Sequence, residues 1–478
     1  MKRRFLSFFV SALVALSISF ACTPAPVADD NTPEDETPSG DDGPSVNPED
    51  LEPFEYSVIS GSEDNIFSKR PHFTLKLTNP NPVTATAELK VTVNTDKGKK
   101  AQSLEFTEEV ASKATVTVDI TTEEDLAPGF YKITGKVGRK SFLSATPIGI
   151  DPFEIVSAPD FQADFDSFWE TAITQLKAVD MNPVFVSTKY EGTYMVELQS
   201  IPDGLDGDPM TIRCYYVEPL QDGKTHPVIV HFYGYDDWSP GRLDCPHGRD
   251  EFAHLYVSTR GQRINSRTAK LRDDGIEKDF QNPYDKQWFT VNFGDKNSYY
   301  YRGAYMDCVQ GIRFLALCED ERVKGKIDME NLFVEGMSQG GAFSYAAASL
   351  STDYPVKAVA AAVAFMGDFP DYFTIVPNEG GGFPGMAQNC KKQLGGTDEE
   401  MYEFMSYFDT KNLATKISCP IIAAIGLQDN ICPPHTNIAP YNNAQTPASQ
   451  KQMTFYPKMG HAYPSGWDAA AKAFFKAQ

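Results

Sequence analysis

Apolar and polar residues alternate with a period of two in several short segments between residues 54 and 152. The clearest of these segments are Phe73–Leu77, Leu89–Val93, Val116–Ile120 and Tyr131–Ile133. Strict alternation predicts strands with one buried face, and the turn residues between them predict antiparallel pairing. We therefore expect a small all-β, immunoglobulin-like sandwich over residues 54–152. This region has no cysteine and no polar cluster that suggests chemistry, so we interpret it as a spacer.

From residue 153 onwards, apolar runs of strand length alternate with patterns of helical period. The predicted strands are Pro227–His231, Leu255–Thr259, Leu332–Glu335, Val356–Phe365, Pro420–Ile425 and Met453–Tyr456. The predicted helices are Tyr305–Leu317, Gln339–Leu350 and Trp467–Lys476. This order builds a mostly parallel sheet with flanking helices, so residues 153–478 are predicted to form one α/β domain.

The N-terminus has the pattern of an export signal. Basic residues from Lys2 to Arg4 precede the apolar segment Phe5–Phe20, which is too short to span a bilayer. Cys22 then follows a small residue, as in a bacterial lipobox. Residues 1–22 are therefore predicted to be a lipoprotein signal peptide with Cys22 as the lipidated residue; the alternative is an ordinary cleavage site. We expect export and lipid anchoring at the bacterial cell envelope, on its periplasmic or outer side.

Charge and composition narrow the classes of partner. Residues 23–53 are rich in Pro, Asp, Glu, Ser and Gly without Lys or Arg, which predicts a solvated acidic tether. The 478-residue chain carries a formal net charge of −22, which disfavours nucleic acid and anionic membranes, so membrane contact is expected only through the lipid anchor. Seven cysteines follow Cys22 without Cys-x-x-Cys spacing, and we interpret them as buried thiols rather than metal ligands.

A G-x-S-x-G pentapeptide lies at Gly336–Gly340. In the α/β-hydrolase fold, this spacing produces a sharp turn from a strand into a helix, on which the serine hydroxyl is exposed. The motif alone is weak, but here it follows a predicted strand and precedes a predicted helix of small residues, which is the context that it requires. Ser338 is therefore the predicted nucleophile.

A serine nucleophile requires a base and an acid, which follow it in the order Asp then His in this fold. Only two histidines follow Ser338, namely His435 and His461. His461 lies in a Gly-flanked loop between the last predicted strand and helix, which favours it as the base, whereas His435 is expected to cap a helix or to be exposed. Asp429 directly follows a predicted strand and is the expected acid, although a turn role is the alternative.

The chain resembles the acetyl xylan esterase and cephalosporin-C deacetylase family of carbohydrate esterases from about Phe153 to the C-terminus. The local matches are Arg260-Gly261-Gln262, Tyr299-Tyr300-Tyr301-Arg302, Gly336–Gly340, Leu427-Gln428-Asp429 and Asn430–Pro434. The resemblance implies that Ser338, Asp429 and His461 form a catalytic triad. It also implies that the backbone amides of Tyr233 and Gln339 form the oxyanion hole, and that ring-like homo-oligomers are possible.

Two residues beside the expected oxyanion loop differ from the family pattern. Phe232 and Tyr235 stand where the family has glycine, so they are expected to line and narrow the substrate pocket. Arg260, by contrast, is expected to form a structural ion pair rather than to bind substrate.

These observations predict a serine esterase that removes acetyl groups from O-acetylated sugars or xylo-oligosaccharides through an acyl-enzyme, without a metal or organic cofactor. One alternative is a serine peptidase of the prolyl-oligopeptidase type, which shares the fold and the residue order. The other is a non-catalytic glycan-binding lipoprotein that works through its sandwich.

Overall fold

The computed structural model describes residues 51–478 except 236–243, 263, 265–273, 277–282, 285–286 and 380–383. The predicted signal peptide, Cys22 and residues 23–50 of the predicted tether lie outside the described residues. Within the described ranges, no helix has both the length and the apolar character needed to cross a bilayer.

The N-terminal region is an all-β sandwich of two sheets. Its strands are β1 (Glu55–Ser60), β2 (Ile66–Phe67), β3 (His72–Thr78), β4 (Ala85–Thr95), β5 (Lys100–Val110), β6 (Thr115–Thr121), β7 (Gly129–Val137) and β8 (Lys140–Ile150). One sheet has the order β1-β3-β6 and the other has the order β2-β8-β7-β4-β5. The inward residues of both sheets, among them Leu75, Val91 and Ile133, share one core because alternate side chains of each strand point to the same face.

The remaining strands of the described residues form a single sheet of nine. They are β9 (Val184–Ser187), β10 (Thr193–Ser200), β11 (Met210–Val217), β12 (His226–Phe232), β13 (Ala253–Ser258), β14 (Ile327–Met337), β15 (Ala358–Ala362), β16 (Ile421–Gly426) and β17 (Lys451–Tyr456). The order across the sheet is β17-β16-β15-β14-β12-β13-β11-β10-β9. The six strands from β17 to β13 pair in parallel, whereas β11, β10 and β9 continue the sheet antiparallel.

Helices cover both faces of this sheet. They are α1 (Phe165–Ala178), α2 (Tyr300–Leu317), α3 (Gln339–Leu350), α4 (Phe369–Glu379), α5 (Pro384–Lys391), α6 (Asp398–Ser406), α7 (Thr410–Leu413), α8 (Pro434–Asn443) and α9 (Trp467–Lys476). Successive residues of β12 face opposite sides, so Val230 joins the core with α2 and α3, and Ile229 joins the core under α9. The predicted α/β fold with a preceding all-β region is confirmed.

The sandwich packs against the nine-stranded sheet. Phe130 of β7 and Phe153, which follows β8, place their ring centroids 6.4 and 5.9 Å from that of Phe455 on β17. Phe153 also lies 5.9 Å from Tyr441 of α8. Residues 51–478 accordingly form one compact unit.

Candidate active site

Ser338 is the single residue between strand β14 and helix α3. Its φ of 59° lies in the left-handed region, which is uncommon for a residue with a side chain. The backbone bonds around it maintain this strained turn, because Ser338 donates to the carbonyl of Ala362 at 2.9 Å and accepts from the amide of Phe365 at 3.0 Å. The predicted strand-serine-helix geometry is therefore present.

Two glycines make the turn sterically possible. A Cβ on Gly336 would lie 2.3 Å from the carbonyl of Gly340, and a Cβ on Gly340 would lie 2.1 Å from the carbonyl of Phe232. Both distances are far below van der Waals contact, so any side chain would push β14, α3 and β12 apart. The sequence spacing thus follows from the close approach of three backbone segments.

The hydroxyl of Ser338 contacts the imidazole of His461. Its Oγ lies 3.0 Å from Nε2 of His461, and Nδ1 of the same ring lies 2.8 Å from Oδ2 of Asp429. His461 follows β17 and Asp429 follows β16, so adjacent parallel strands deliver both side chains to the same edge of the sheet. The three residues predicted as a triad are brought together in hydrogen-bonding order.

The carboxylate of Asp429 is buried and oriented by backbone amides. Its Oδ1 accepts from the amides of Ile431 at 2.9 Å and Cys432 at 2.8 Å, which leaves Oδ2 for His461. The loop that carries His461 is bonded to the loop that carries Asp429, because the amide of Gln428 donates to the carbonyl of Met459 at 3.0 Å. Such an arrangement fixes the tautomer and the orientation of the imidazole.

Tyr233 and Gln339 carry the two amides predicted for the oxyanion hole: Tyr233 lines the cavity beside Ser338, and Gln339 directly follows Ser338 in the chain. Tyr233 directly follows β12, and Gln339 is the first residue of α3. Neither amide donates to another backbone carbonyl among the described residues, so both are available to an external oxygen. The N-terminus of helix α3 also favours negative charge at the position of Gln339. These amides can therefore act as the predicted oxyanion hole.

A cavity of about 790 Å³ opens beside Ser338 and His461, and both Phe232 and Tyr235 contribute to its lining. Phe232 is only 4% exposed, and its ring packs edge-on against Phe343 in the main core at 6.4 Å. Tyr235 is half-buried and packs against Trp288 at 5.0 Å. Tyr235 is consequently the better placed of the two to affect which substrates enter.

His435 and Arg260 have structural contacts away from the triad. His435 is not exposed and caps no helix, contrary to expectation: its Nδ1 lies 3.0 Å from Asp96 and its Nε2 lies 2.8 Å from Asp371. The expected ion pair of Arg260 is confirmed, because its buried guanidinium donates to both carboxylate oxygens of Asp307 at 2.7 and 2.9 Å.

Several residues of the site were not anticipated from the sequence. The cavity also contains His231 and Glu335, whose Nδ1 and Oε1 lie 2.6 Å apart. Cys432 is buried next to the triad, and burial raises the pKa of its thiol well above the usual value. The only available signal was position: His231 and Glu335 lie near the ends of two predicted strands, where parallel sheets place their sites.

In the part of the chain that the structure describes, two groups of side chains place metal-ligand atoms within 4.8 Å of one another. One group contains Asp429, Cys432 and His461, and the other contains Asp368, Asp371 and His435. The first includes two members of the triad, and the second is already neutralised by Lys97 and Lys411. Protein partners account for both groups, and the absence of a cofactor stays a prediction.

Comparison with known sequences identifies the family. The family described as Acetyl xylan esterase (AXE1) matches residues 155–478, which is more than half of the chain. The chain belongs to the acetyl xylan esterase family. It is accordingly a carboxylic ester hydrolase. A curated relative, acetyl esterase Axe7A of Xylanibacter ruminicola, is 26% identical over 330 residues, which cover 67% of this chain and 68% of the relative.

Solved structures agree with this esterase in fold. An acetyl xylan esterase from Paenibacillus sp. R4 is 25% identical with a TM-score of 0.53, covering 68% of this chain and 98% of that one. Acetyl xylan esterase 1 from Thermoanaerobacterium sp. JW/SL YS485 is 22% identical with a TM-score of 0.53, covering 68% of this chain and 96% of that one. This similarity confirms the predicted α/β-hydrolase fold.

Proposed function

We propose that this esterase removes acetyl groups from O-acetylated sugars or xylo-oligosaccharides through a covalent acyl-enzyme on Ser338. The observation that carries the proposal is the continuous hydrogen-bonded chain from Ser338 through His461 to Asp429, with distances of 3.0 and 2.8 Å. Family membership favours an ester substrate over the peptide substrate of the prolyl-oligopeptidase alternative. It equally favours catalysis over the non-catalytic glycan-binding alternative.

The geometry of the site supports the following mechanism. Oγ of Ser338 attacks the ester carbonyl carbon while its proton moves to Nε2 of His461, and the amides of Tyr233 and Gln339 stabilise the resulting oxyanion. The imidazolium, held by Asp429, then protonates the departing alcohol oxygen. A water molecule deprotonated by His461 attacks the acetylated serine, and acetate leaves as Ser338 regains its proton.

Acetate release from defined substrates tests the proposal. The protein without residues 1–22 is assayed on acetylated xylo-oligosaccharides, on other acetylated sugars and on an acetylated peptide. We expect release from the sugar esters. An active-site phosphonate should also label Ser338, detectable by mass spectrometry. Labelling elsewhere, or release from the peptide alone, would contradict the proposal.

We also propose that the protein is exported and anchored at the bacterial cell envelope through a lipid on Cys22. The basic and apolar pattern of residues 1–22 and the small residue before Cys22 support this proposal. The acidic tether would then hold the enzyme away from the anionic bilayer. A Cys22→Ser variant should move from the membrane fraction to the soluble fraction, and it should fail to incorporate labelled palmitate.

A further inference from the structure

Three polar side chains lie abreast on one face of the sheet beside Ser338. In the strand register, His231 of β12 is opposite Glu335 of β14 on one side and opposite Tyr256 of β13 on the other. All three line the cavity that contains Ser338 and His461. They belong to the same sheet face as Ile229, below helix α9, and so form a continuous polar wall. Glu335, on the strand that leads to the nucleophile, is three residues before Ser338.

Hydrogen bonds hold this wall in one orientation. Nδ1 of His231 lies 2.6 Å from Oε1 of Glu335, and Nε2 of His231 lies 2.8 Å from Nδ1 of His254. His254 continues the chain to Asp250, with 3.1 Å between Nε2 and Oδ1, and Lys472 donates to the other oxygen of Asp250 at 2.7 Å. The ring of Tyr256 stacks on His231 with centroids 4.0 Å apart. A wall with so many mutual bonds is pre-organised.

Two oxygen atoms of the wall are left for a ligand. Among the described residues, no side chain or backbone amide donates to Oε2 of Glu335, since only its Oε1 bonds to His231. The hydroxyl of Tyr256 likewise makes no hydrogen bond with a described residue. The side chain of Glu335 is 14% exposed, so this carboxylate faces the cavity rather than bulk water. In such a site, a charged acceptor binds a hydroxyl donor strongly.

The rest of the cavity suits a sugar ring. Tyr463, which is 50% exposed, adds aromatic surface, and Asp468 accepts from its hydroxyl. Among the described residues that line the cavity, Asp250, Glu335 and Asp468 carry carboxylates and one residue is a lysine, Lys472, which is already bonded to Asp250. Acceptors and negative charge therefore dominate. A neutral ligand with several hydroxyl donors complements such a lining, and a ligand with its own carboxylate does not.

We infer that Glu335 and Tyr256 form a subsite for the alcohol part of the ester, which binds the hydroxyls of a neutral sugar and discriminates against uronic acids. The inference rests on the proposed function, because it concerns the sugar that carries the acetyl group. His231 is a positioning residue in this subsite: it holds Glu335 so that Oε2 faces the ligand.

The test compares esters with and without a sugar. The kcat/KM is measured for phenyl acetate, for a mono-acetylated methyl xyloside and for an acetylated methyl glucuronoside. A hydrogen bond to a charged acceptor is stronger than one to a neutral acceptor by roughly 5- to 10-fold. Glu335→Gln, which leaves a neutral acceptor, should therefore lower the xyloside-to-phenyl acetate ratio by about that factor, and Tyr256→Phe should lower it by roughly 2- to 10-fold. Glu330→Gln, an exposed glutamate of the same strand, should leave the ratio unchanged.

Inhibition by unacetylated methyl xyloside provides a second measurement that needs no sugar ester. Methyl xyloside should inhibit phenyl acetate hydrolysis competitively, and Glu335→Gln and Tyr256→Phe should both weaken that inhibition. If Glu335→Gln does not fold, Tyr256→Phe decides alone, because it removes one oxygen atom. Unchanged ratios in a wild-type enzyme that deacetylates xyloside would overturn the subsite and leave the proposed function intact. If the wild type deacetylates no sugar ester, but both variants weaken its inhibition by methyl xyloside, the subsite is supported and the proposed function is overturned.

Discussion

His435 on helix α8 is bonded to Asp96 in the sandwich, 339 positions earlier in the chain, with 3.0 Å between Nδ1 and Oδ2. Its other ring nitrogen contacts Asp371 of helix α4 at 2.8 Å, and Lys97 of the sandwich pairs with the same aspartate. The loop between β4 and β5 is thereby tied to two helices of the nine-stranded domain. The sandwich is thus integrated with the esterase domain through charged groups as well as through the aromatic contacts of Phe153.

This bond predicts a pH-dependent stability. Burial opposes the charged form of His435, but hydrogen bonds to Asp371 and Asp96 outweigh burial and raise its pKa from 6.5 to about 9. A raised pKa stabilises the fold fully below pH 6.5, and that stabilisation is lost as the pH rises through about 9. We expect the free energy of unfolding to fall by up to about 3 kcal/mol across this window.

Urea unfolding at several pH values measures this dependence. His435→Gln should remove most of the pH dependence between pH 6.5 and 9. His72→Gln provides the control, because His72 is an exposed residue of the sandwich and should leave the dependence unchanged. If the free energy of unfolding changes equally with pH in the wild type and in His435→Gln, other groups determine the pH dependence of stability in this range.

The elements that the sequence predicted best are those with one clear period. Helices α3 and α9 begin and end at the predicted residues, Gln339–Leu350 and Trp467–Lys476. Helix α2 begins at Tyr300 rather than at the predicted Tyr305. Its first turn is buried on every side, so no polar face marked it as helical. Strand β5 was missed because it is an edge strand with few buried residues.

For the site as well, the residues marked by a local sequence pattern could be predicted, and those that depend on long-range contacts could not. Ser338 and its two partners could be predicted because the fold places each one directly after a strand, and a strand is visible in sequence. The partners of His435 could not, since a contact across 339 positions leaves no local pattern. The wall formed by His231 and Glu335 escaped notice for a related reason: it depends on the register between neighbouring strands.

Removal of the nucleophile should abolish turnover without unfolding the protein. Ser338→Ala removes the attacking atom, and its expected effect is a loss of about three to six orders of magnitude in kcat on p-nitrophenyl acetate. Ser349→Ala is the matched control, because Ser349 is a buried serine of helix α3 whose hydroxyl bonds to no described residue. Circular dichroism should show both variants folded. Activity of Ser338→Ala close to that of the wild type would refute the assignment.

Substitution of the two candidate bases, His461 and His435, should cause different defects, one in catalysis and the other in stability. His461→Ala removes the group that contacts Ser338 and should lower kcat by about 10³-fold or more. His435→Ala leaves that contact in place and should instead lower the melting temperature, because it removes the cation that pairs with two half-buried aspartates, Asp96 and Asp371. Steady-state kinetics at pH 7 and thermal unfolding together distinguish the two. A reversed ranking in kcat would mean that the base has been misassigned.

The last prediction concerns the size of the acyl group. Tyr235 lines the cavity beside Ser338 and packs against the buried Trp288, which limits the space near the amide of Tyr233. A misfit in such a pocket costs about 1 to 3 kcal/mol, so acetyl esters should exceed hexanoyl esters by roughly 10- to 200-fold in kcat/KM. Tyr235→Ala should narrow this difference.

Phe232 supplies the contrast for that experiment. Because its ring packs on Phe343 in the core, Phe232→Ala should cost about 3 to 5 kcal/mol of stability through the cavity that it leaves. Its effect on acyl selectivity should be smaller than that of Tyr235→Ala, and p-nitrophenyl esters of two, four and six carbons measure both. If the wild type hydrolyses all three esters equally well, the pocket is not crowded. If only Phe232→Ala changes the preference, the ring of Phe232, and not that of Tyr235, limits the length of the acyl chain.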